Sequence, residues 1–257
     1  MSLPADFEPA VRDEKKLRRT AWVLVAIMVL GGTLVTAAYN KWAREKFKDT
    51  RPAVIYRITK ERDLRMVRQD GKQANIFDLR GHVVAINIIS LKNPETARRS
   101  FEVMQRLSTK FSAQEDFNLV TLVIDPIAPE ASAATLAKAA DSLSVKLPQW
   151  WLGTNDKPTL DKFIKNELKT SVYPIEENGK WSFDTSVILL DRNGHIRRGV
   201  VPQQRGGMPY VANFDFDQAA EWDERGVKTG TSNNNVAEME RLLHSTIDLL
   251  LAEPFVK

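Results

Sequence analysis

Several hydrophobic patterns succeed one another along the chain. Residues 20–39, TAWVLVAIMVLGGTLVTAAY, form an uncharged run of twenty, long enough to cross a hydrocarbon core. Trp22, Tyr39 and Trp42 stand near its ends, where interfacial aromatics anchor membrane helices. After Pro52 the pattern breaks into short mixed strands, VIYRI and LRMVRQ, with QDGK as a hairpin-like turn. Residues 81–89 (GHVVAINII) and 117–125 (FNLVTLVID) are continuous β-branched runs, as in strands buried on both faces. Between them Ala97, Phe101, Met104, Leu107 and Phe111 recur at spacings of three and four, which puts them on one helix face. The Ala-rich stretch 129–143 predicts a helix, QWWLG a short strand, and KPTLDKFIKNEL a helix with Pro158 in its first turn. TSVILLDRNGHIRRGVV predicts a hairpin turned at Asn193-Gly194. Val236, Met239, Leu243, Ile247 and Leu250 predict a closing helix over residues 236–251.

Helices alternating with strands imply an α/β fold with a parallel core, finished by an antiparallel hairpin and a helix. That is the thioredoxin-like layout, a central mixed sheet with helices on both sides. The chain divides into a polar tail (1–19), a transmembrane anchor (20–42), a linker with the first strands (43–74), and the main domain (75–257). Within that domain, residues 199–235 form a connection too long for a compact fold unless it serves a purpose. Its aromatics Tyr210, Phe214, Phe216 and Trp222 are the expected partner-binding residues, because interfaces are rich in such side chains.

Charge sharpens this division. The net charge is +4, and the first 52 residues carry all of it, with ten Lys/Arg against six Asp/Glu. The remaining 205 residues hold 27 of each. A balanced domain lacks the electrostatic footprint of a nucleic-acid binder, so lipid headgroups are the expected partner of the basic flanks. Five Lys/Arg precede the apolar run and five follow it closely, so charge counting leaves its orientation open.

The chain has no cysteine. Disulfides, thiolate metal sites and thiol nucleophiles are therefore excluded. His82, His195 and His244 share no metal-ligand spacing, and Met66, Met104, Met208 and Met239 are scattered. No activated nucleophile is recognisable, so no catalytic residue is expected. Asp184 and Asp191 flank a hairpin strand, where they pair as carboxylates or, more commonly, end a strand in solvent. Asp125-Pro126 reads as a turn.

The segments FDLRGHVVAINI, VTLVIDP, SVILLDRNGHIR and MERLLHSTIDLLL, in this order and spacing, resemble the Sco/SenC family, membrane-anchored thioredoxin-fold proteins of cytochrome oxidase assembly. The resemblance covers about 75–251. It implies a single-pass protein of the inner (cytoplasmic) membrane with a periplasmic domain. Family members bind copper through two cysteines and a distal histidine. Here the cysteine positions fall on Asn93 and Ala97, and the histidine position falls near Phe183 or Asp184. The expected result is a protein without metal or other cofactor, a non-catalytic docking, assembly or accessory subunit of a membrane complex such as a respiratory oxidase or another copper enzyme. Copper handling through other ligands is the alternative, and a redoxin-like enzyme is a third. From its residues alone, Asn93-Pro94-Glu95 is a helix start, with Asn93 as side-chain cap and Pro94 at the first position.

Overall fold

The computed structural model describes residues 13–46, 51–201, 209–227 and 233–255. The chain forms two compact units, each described by itself. The first contains α1 (Glu14–Lys46), a helix of 33 residues. Its segment Glu14–Trp42 is long and apolar enough to cross a membrane, with a mean hydropathy of 2.2 in its most apolar window. Trp22, Tyr39 and Trp42 are all exposed on it. Twenty residues separate the two tryptophans, about 30 Å along a helix, which matches a hydrocarbon core. Most of the expected polar tail, residues 1–12, lies outside the described residues.

The second unit comprises Thr50–Val201 and Tyr210–Lys257. In chain order its elements are β1 (Ala53–Arg57), β2 (Arg65–Arg68), β3 (Gln73–Asn75), β4 (Val83–Ile89), α2 (Arg98–Lys110), β5 (Phe117–Val123), α3 (Pro129–Leu143), β6 (Trp150–Thr154) and α4 (Lys157–Asn166). They continue with β7 (Ile175–Glu177), β8 (Lys180–Ser182), β9 (Ile188–Leu190), β10 (His195–Val201), β11 (Tyr210–Ala212), α5 (Phe216–Glu224) and α6 (Asn235–Ala252). The main sheet runs β1-β10-β9-β4-β5-β6-β2-β3, with β11 paired to the end of β10, and β7 and β8 form a separate hairpin. The first strands, expected to precede the domain, are part of this sheet: β1 closes one edge, while β2 and β3 extend the other.

At the centre, β4, β5 and β6 are parallel neighbours. Every residue of all three is buried, as the continuous apolar runs require of strands covered on both faces. The crossovers through α2 and α3 are of the right-handed kind that places both helices on one face. A polar chain runs across the three strands. Trp150 Nε1 donates to Thr121 Oγ1 at 2.9 Å, and Thr121 Oγ1 donates to Asn87 Oδ1 at 2.7 Å. On the antiparallel side, Gly194 has φ +79°, the left-handed turn conformation that the Asn-Gly pair supplies.

The carboxylates expected to end strands in solvent are buried, and each has its own partners. Asp191 is 4% exposed and lies 2.7 Å from the guanidinium of Arg197, itself buried. Arg197 also donates twice to the Pro52 carbonyl (3.1 and 2.8 Å) and twice to the Glu253 carboxylate (2.9 and 2.7 Å). One side chain thus ties the chain just before β1, the β9–β10 hairpin and the end of α6 together.

Asp63 is a different case. It accepts N–H bonds from Phe77 (2.9 Å) and Leu64 (2.8 Å). Burial nonetheless pushes its carboxyl up to about 6, above the ordinary 3.8. The folded state therefore favours the protonated acid. The stability this contributes is complete below about 3.8 and is lost as pH rises through about 6. The difference in melting temperature between wild type and Asp63→Asn is expected to shift toward the variant between about pH 4 and about pH 6, and to level off above that. A flat difference across thermal unfolding at these pH values would refute the assignment.

Candidate functional site

β4 ends at Ile89, and the chain turns through Ser90 to Asn93 into a single 3₁₀ turn, Pro94–Ala97, that leads into α2. Asp125, just past β5, organises the turn. One of its oxygens accepts from Ser90 Oγ at 2.9 Å, and the other accepts a short bond from the Leu91 N–H. Ser90 Oγ in turn accepts the Asn93 N–H at 3.1 Å. Asp125 is thus a buried brace, more than the turn residue expected of it.

Asn93 does not cap as expected. Its side chain makes no cap hydrogen bond, and its Oδ1 is buried without a partner. Asn93 heads the 3₁₀ turn, where its backbone carbonyl takes the Thr96 N–H at 3.2 Å, while α2 starts later with Ala97 as its N-cap. Ala97 is 1% exposed.

Phe183 and Asp184, near the expected histidine position, are both buried. Asp184 Oδ2 accepts from the N–H and hydroxyl of Ser171 (2.6 and 2.8 Å). Its Oδ1 accepts from the N–H and hydroxyl of Ser186 (2.9 and 2.6 Å). Four donors fill the four lone-pair sites of a carboxylate. An amide, an alanine methyl and a saturated carboxylate offer none of the thiolate, thioether or imidazole ligands that copper(I) favours.

The other candidate ligands do not converge. Among the described residues no three His, Asp or Glu side chains cluster to hold a metal. His195 Nδ1 sits 3.1 Å from Asp191 Oδ2, within the Arg197 network. His244 packs on Phe111, and burial, then Lys110, lowers its pKa. His82 lies before β4 with Nδ1 unpartnered. Met66 and Met104 are core residues, and Met239 packs against the core. Met208 lies outside the described residues.

The segment 199–235 is largely built into the domain. Its first residues complete β10, β11 pairs with them, and α5 packs on α6 and α2. Residues 202–208 and 228–232 lie outside the described residues. Phe214 and Phe216 are each 1% exposed, and Phe214 forms a β-bridge with Val187. They fill the domain's own core and present nothing to a partner. Trp222 is half-buried on α5, and Tyr210 is exposed on β11.

Sequence reasoning missed a groove beside the turn. A cavity of about 650 Å³ opens between α2 and α3 at the carboxyl end of β4. Ile89, Leu91, Phe101 and Leu143 supply apolar lining, with Arg98 and Lys138 among the charged residues around it. The lining contains hydroxyls, two acids and two bases but no thiol or imidazole. It suits an apolar side chain better than a reaction. Phe101 and Leu143 were legible as helix residues, but the gap between two helices leaves no mark in either periodicity.

Compared with solved structures, the chain is similar to BsSco, a member of the Sco family of cytochrome c oxidase assembly proteins, with 18% identity over 79% of this chain and 99% of that one, at a TM-score of 0.50. The domain has the Sco-type, thioredoxin-like fold. Other Sco-type matches include a SCO1/SenC family lipoprotein from Bacillus anthracis (21% identity, 75% of this chain and 97% of that one, TM-score 0.46). The copper-bound ScoI of Bradyrhizobium japonicum matches at 16% identity over 70% of this chain and 97% of that one, TM-score 0.39. No family model matches the chain, and no curated protein matches it in sequence. For this Sco-type domain the likeness is one of fold, with an anchor-length apolar helix on its N-terminal side.

Proposed function

We propose that the chain is a non-catalytic, Sco-like accessory subunit, anchored by α1 in the inner membrane with its domain on the periplasmic side. It docks with or helps assemble a membrane complex, a respiratory oxidase or another copper enzyme. The observation that carries this reading is the turn 90–97. In a domain of Sco type, the positions that the resemblance aligns with copper ligands hold an amide, a buried methyl and, at Asp184, a carboxylate already saturated by two serines. Asp125 braces the turn as a piece of scaffold, holding the Ser90 hydroxyl and the Leu91 N–H. Binding would then be the remaining task. The groove between α2 and α3, together with Trp222 on α5, is the surface we assign to it.

The test is purification of the full chain from its native membrane in mild detergent, with identification of co-migrating proteins. A stoichiometric membrane complex containing a copper enzyme is expected, with no copper on the isolated chain after saturation and desalting. Migration alone would overturn the docking reading. Retained copper, lost on replacing one or two histidines, would overturn the metal-free reading.

A further inference from the structure

The dipeptide Asn-Gly occurs twice in the chain, at 178–179 and 193–194, each time between two strands of a hairpin. It is a reactive pair. A glycine carries no side chain to block its own backbone nitrogen as that nitrogen reaches back to the asparagine amide carbon.

The two turns are held differently. Between β9 and β10, the Gly194 N–H donates to the Asp191 carbonyl at 2.9 Å. The N–H groups of Asn193 and His195 both donate to Asp191 Oδ1, each at 2.9 Å. The Gly194 carbonyl accepts the Ile58 N–H, and the Arg192 carbonyl accepts the Gly81 N–H, again at 2.9 Å. The nitrogen that would attack Asn193 is therefore already bonded, in a turn sewn to the main sheet and to the Asp191–Arg197 ion pair.

Between β7 and β8 no such stitching exists. Each strand has three residues, and the pair joins no other sheet. All of β7, Asn178, Gly179 and Lys180 are exposed. The Gly179 N–H has no hydrogen bond among the described residues. In the two strands only the Trp181 side chain is buried. Asn178 (φ +53°) and Gly179 (φ +75°) both take the left-handed conformation of a two-residue turn. That conformation keeps the Gly179 nitrogen turned away from the Asn178 side chain, so the turn must open before the two can react. A lone two-stranded hairpin is marginally stable in water, and such units open locally at small cost.

We infer that Asn178 is a site of spontaneous deamidation in the folded protein, and that Asn193 is shielded from it. In the opened turn the Gly179 nitrogen attacks Cγ of Asn178. A new C–N bond forms and the bond from Cγ to the side-chain nitrogen breaks. The Gly179 proton passes through solvent to the departing group, which leaves as ammonia. Water then opens the five-membered imide at either carbonyl, giving aspartate or isoaspartate. Either product adds a negative charge beside Glu176 and Glu177. Isoaspartate also lengthens the main chain by one carbon, which a two-residue turn cannot absorb while Glu177 stays opposite Lys180. β8 leads directly into Phe183 and Asp184, so the hairpin beside the candidate site is the part of the domain that ages first.

Trypsin separates the two sites, because it cuts after Lys169, Lys180, Arg192 and Arg197. The purified full chain is held in mild detergent at mildly alkaline pH and sampled over time. A brief digestion is followed by mass spectrometry of peptides 170–180 and 193–197. Loss of the amide at 178 is expected to be at least about tenfold faster than at 193, since each rate follows the population of its opened turn. In urea, where neither turn persists, the two rates should converge. Both isoaspartate and aspartate should appear at 178. Equal rates in the folded chain, faster loss at 193, or an Asn178 that survives while the urea sample loses it overturns the inference. So does a difference that persists in urea, which would trace it to flanking residues, or aspartate without isoaspartate, which would mean direct hydrolysis.

Discussion

Arg197→Ala is expected to lower the stability of the domain by about 3–5 kcal/mol, the range for breaking a buried ion pair from one side. Total stabilities are only about 5–15 kcal/mol, so the variant would be partly unfolded at physiological temperature. Two consequences add together. The Pro52 carbonyl and the Glu253 carboxylate each lose two bonds, which loosens both ends of the domain. Asp191, 4% exposed, keeps the N–H groups of Asn193 and His195 but loses its charged partner. Arg197→Met with Asp191→Asn should recover much of the loss, because it removes both charges. Urea unfolding of the single and double variants measures this, and a loss below about 1 kcal/mol for Arg197→Ala would mean that the pair behaves like an exposed one. Acid provides a second readout. Burial pushes the Asp191 carboxyl up, while the His195 N–H, Arg197 and the charge of His195 pull it further down, leaving it below the usual value. A depressed carboxylate stabilises the fold above its unfolded pKa of about 3.8 and loses that contribution as pH falls through the lower folded value. Arg197→Ala should therefore flatten the stability curve of the wild type below about pH 4.

Asn93→Cys combined with Ala97→Cys is expected to install copper binding at the turn. Asn93 and Ala97 stand at the two ends of the 3₁₀ turn, so the two thiols would bracket one short stretch of backbone at the end of β4. The first thiol would stand at the start of a helical turn, where the free N–H groups favour the thiolate. The double variant should retain copper(I) after desalting, while each single variant and the wild type lose it. Alkylation of the two thiols should abolish binding. Asp184 is saturated by Ser171 and Ser186, so two thiolates would have to suffice, and the affinity should fall well short of a three-ligand site. If the double variant retains no more copper than wild type, the turn has lost the geometry as well as the ligands.

The parts of the fold governed by local pattern were legible in the chain. The continuous runs at 83–89 and 117–123 became fully buried parallel strands, Asn193-Gly194 turned the hairpin, and the closing helix differs from its expected span by one residue at each end. What escaped depended on distant partners. Phe214 and Phe216 sit in a stretch without periodicity, because β11 has only three residues and Val187, the bridge partner of Phe214, lies far off in sequence. Asp184 and Asp191 read as solvated because a charge ordinarily is, and their neutralising groups come from Ser171, Ser186 and Arg197. The Asn93 cap failed for a local reason that composition hides. The Thr96 N–H goes to the backbone carbonyl of Asn93, and the 3₁₀ turn puts the start of α2 at Arg98.

The edges of the sheet carry one more implication. An outer strand with exposed Val54 and Ile55 would ordinarily invite a second chain to pair alongside it, the first step of fibre growth. In β1 the register shifts between Val54 and Tyr56, and such a bulge breaks the even row of free N–H and C=O groups that an added strand needs. The other edge is guarded by brevity, since β3 spans only three residues. Copies anchored in one membrane through α1 would meet at high local concentration, where unguarded edges would be most dangerous. The irregularity at Val54–Tyr56 lets an apolar edge strand stay exposed without templating its neighbours.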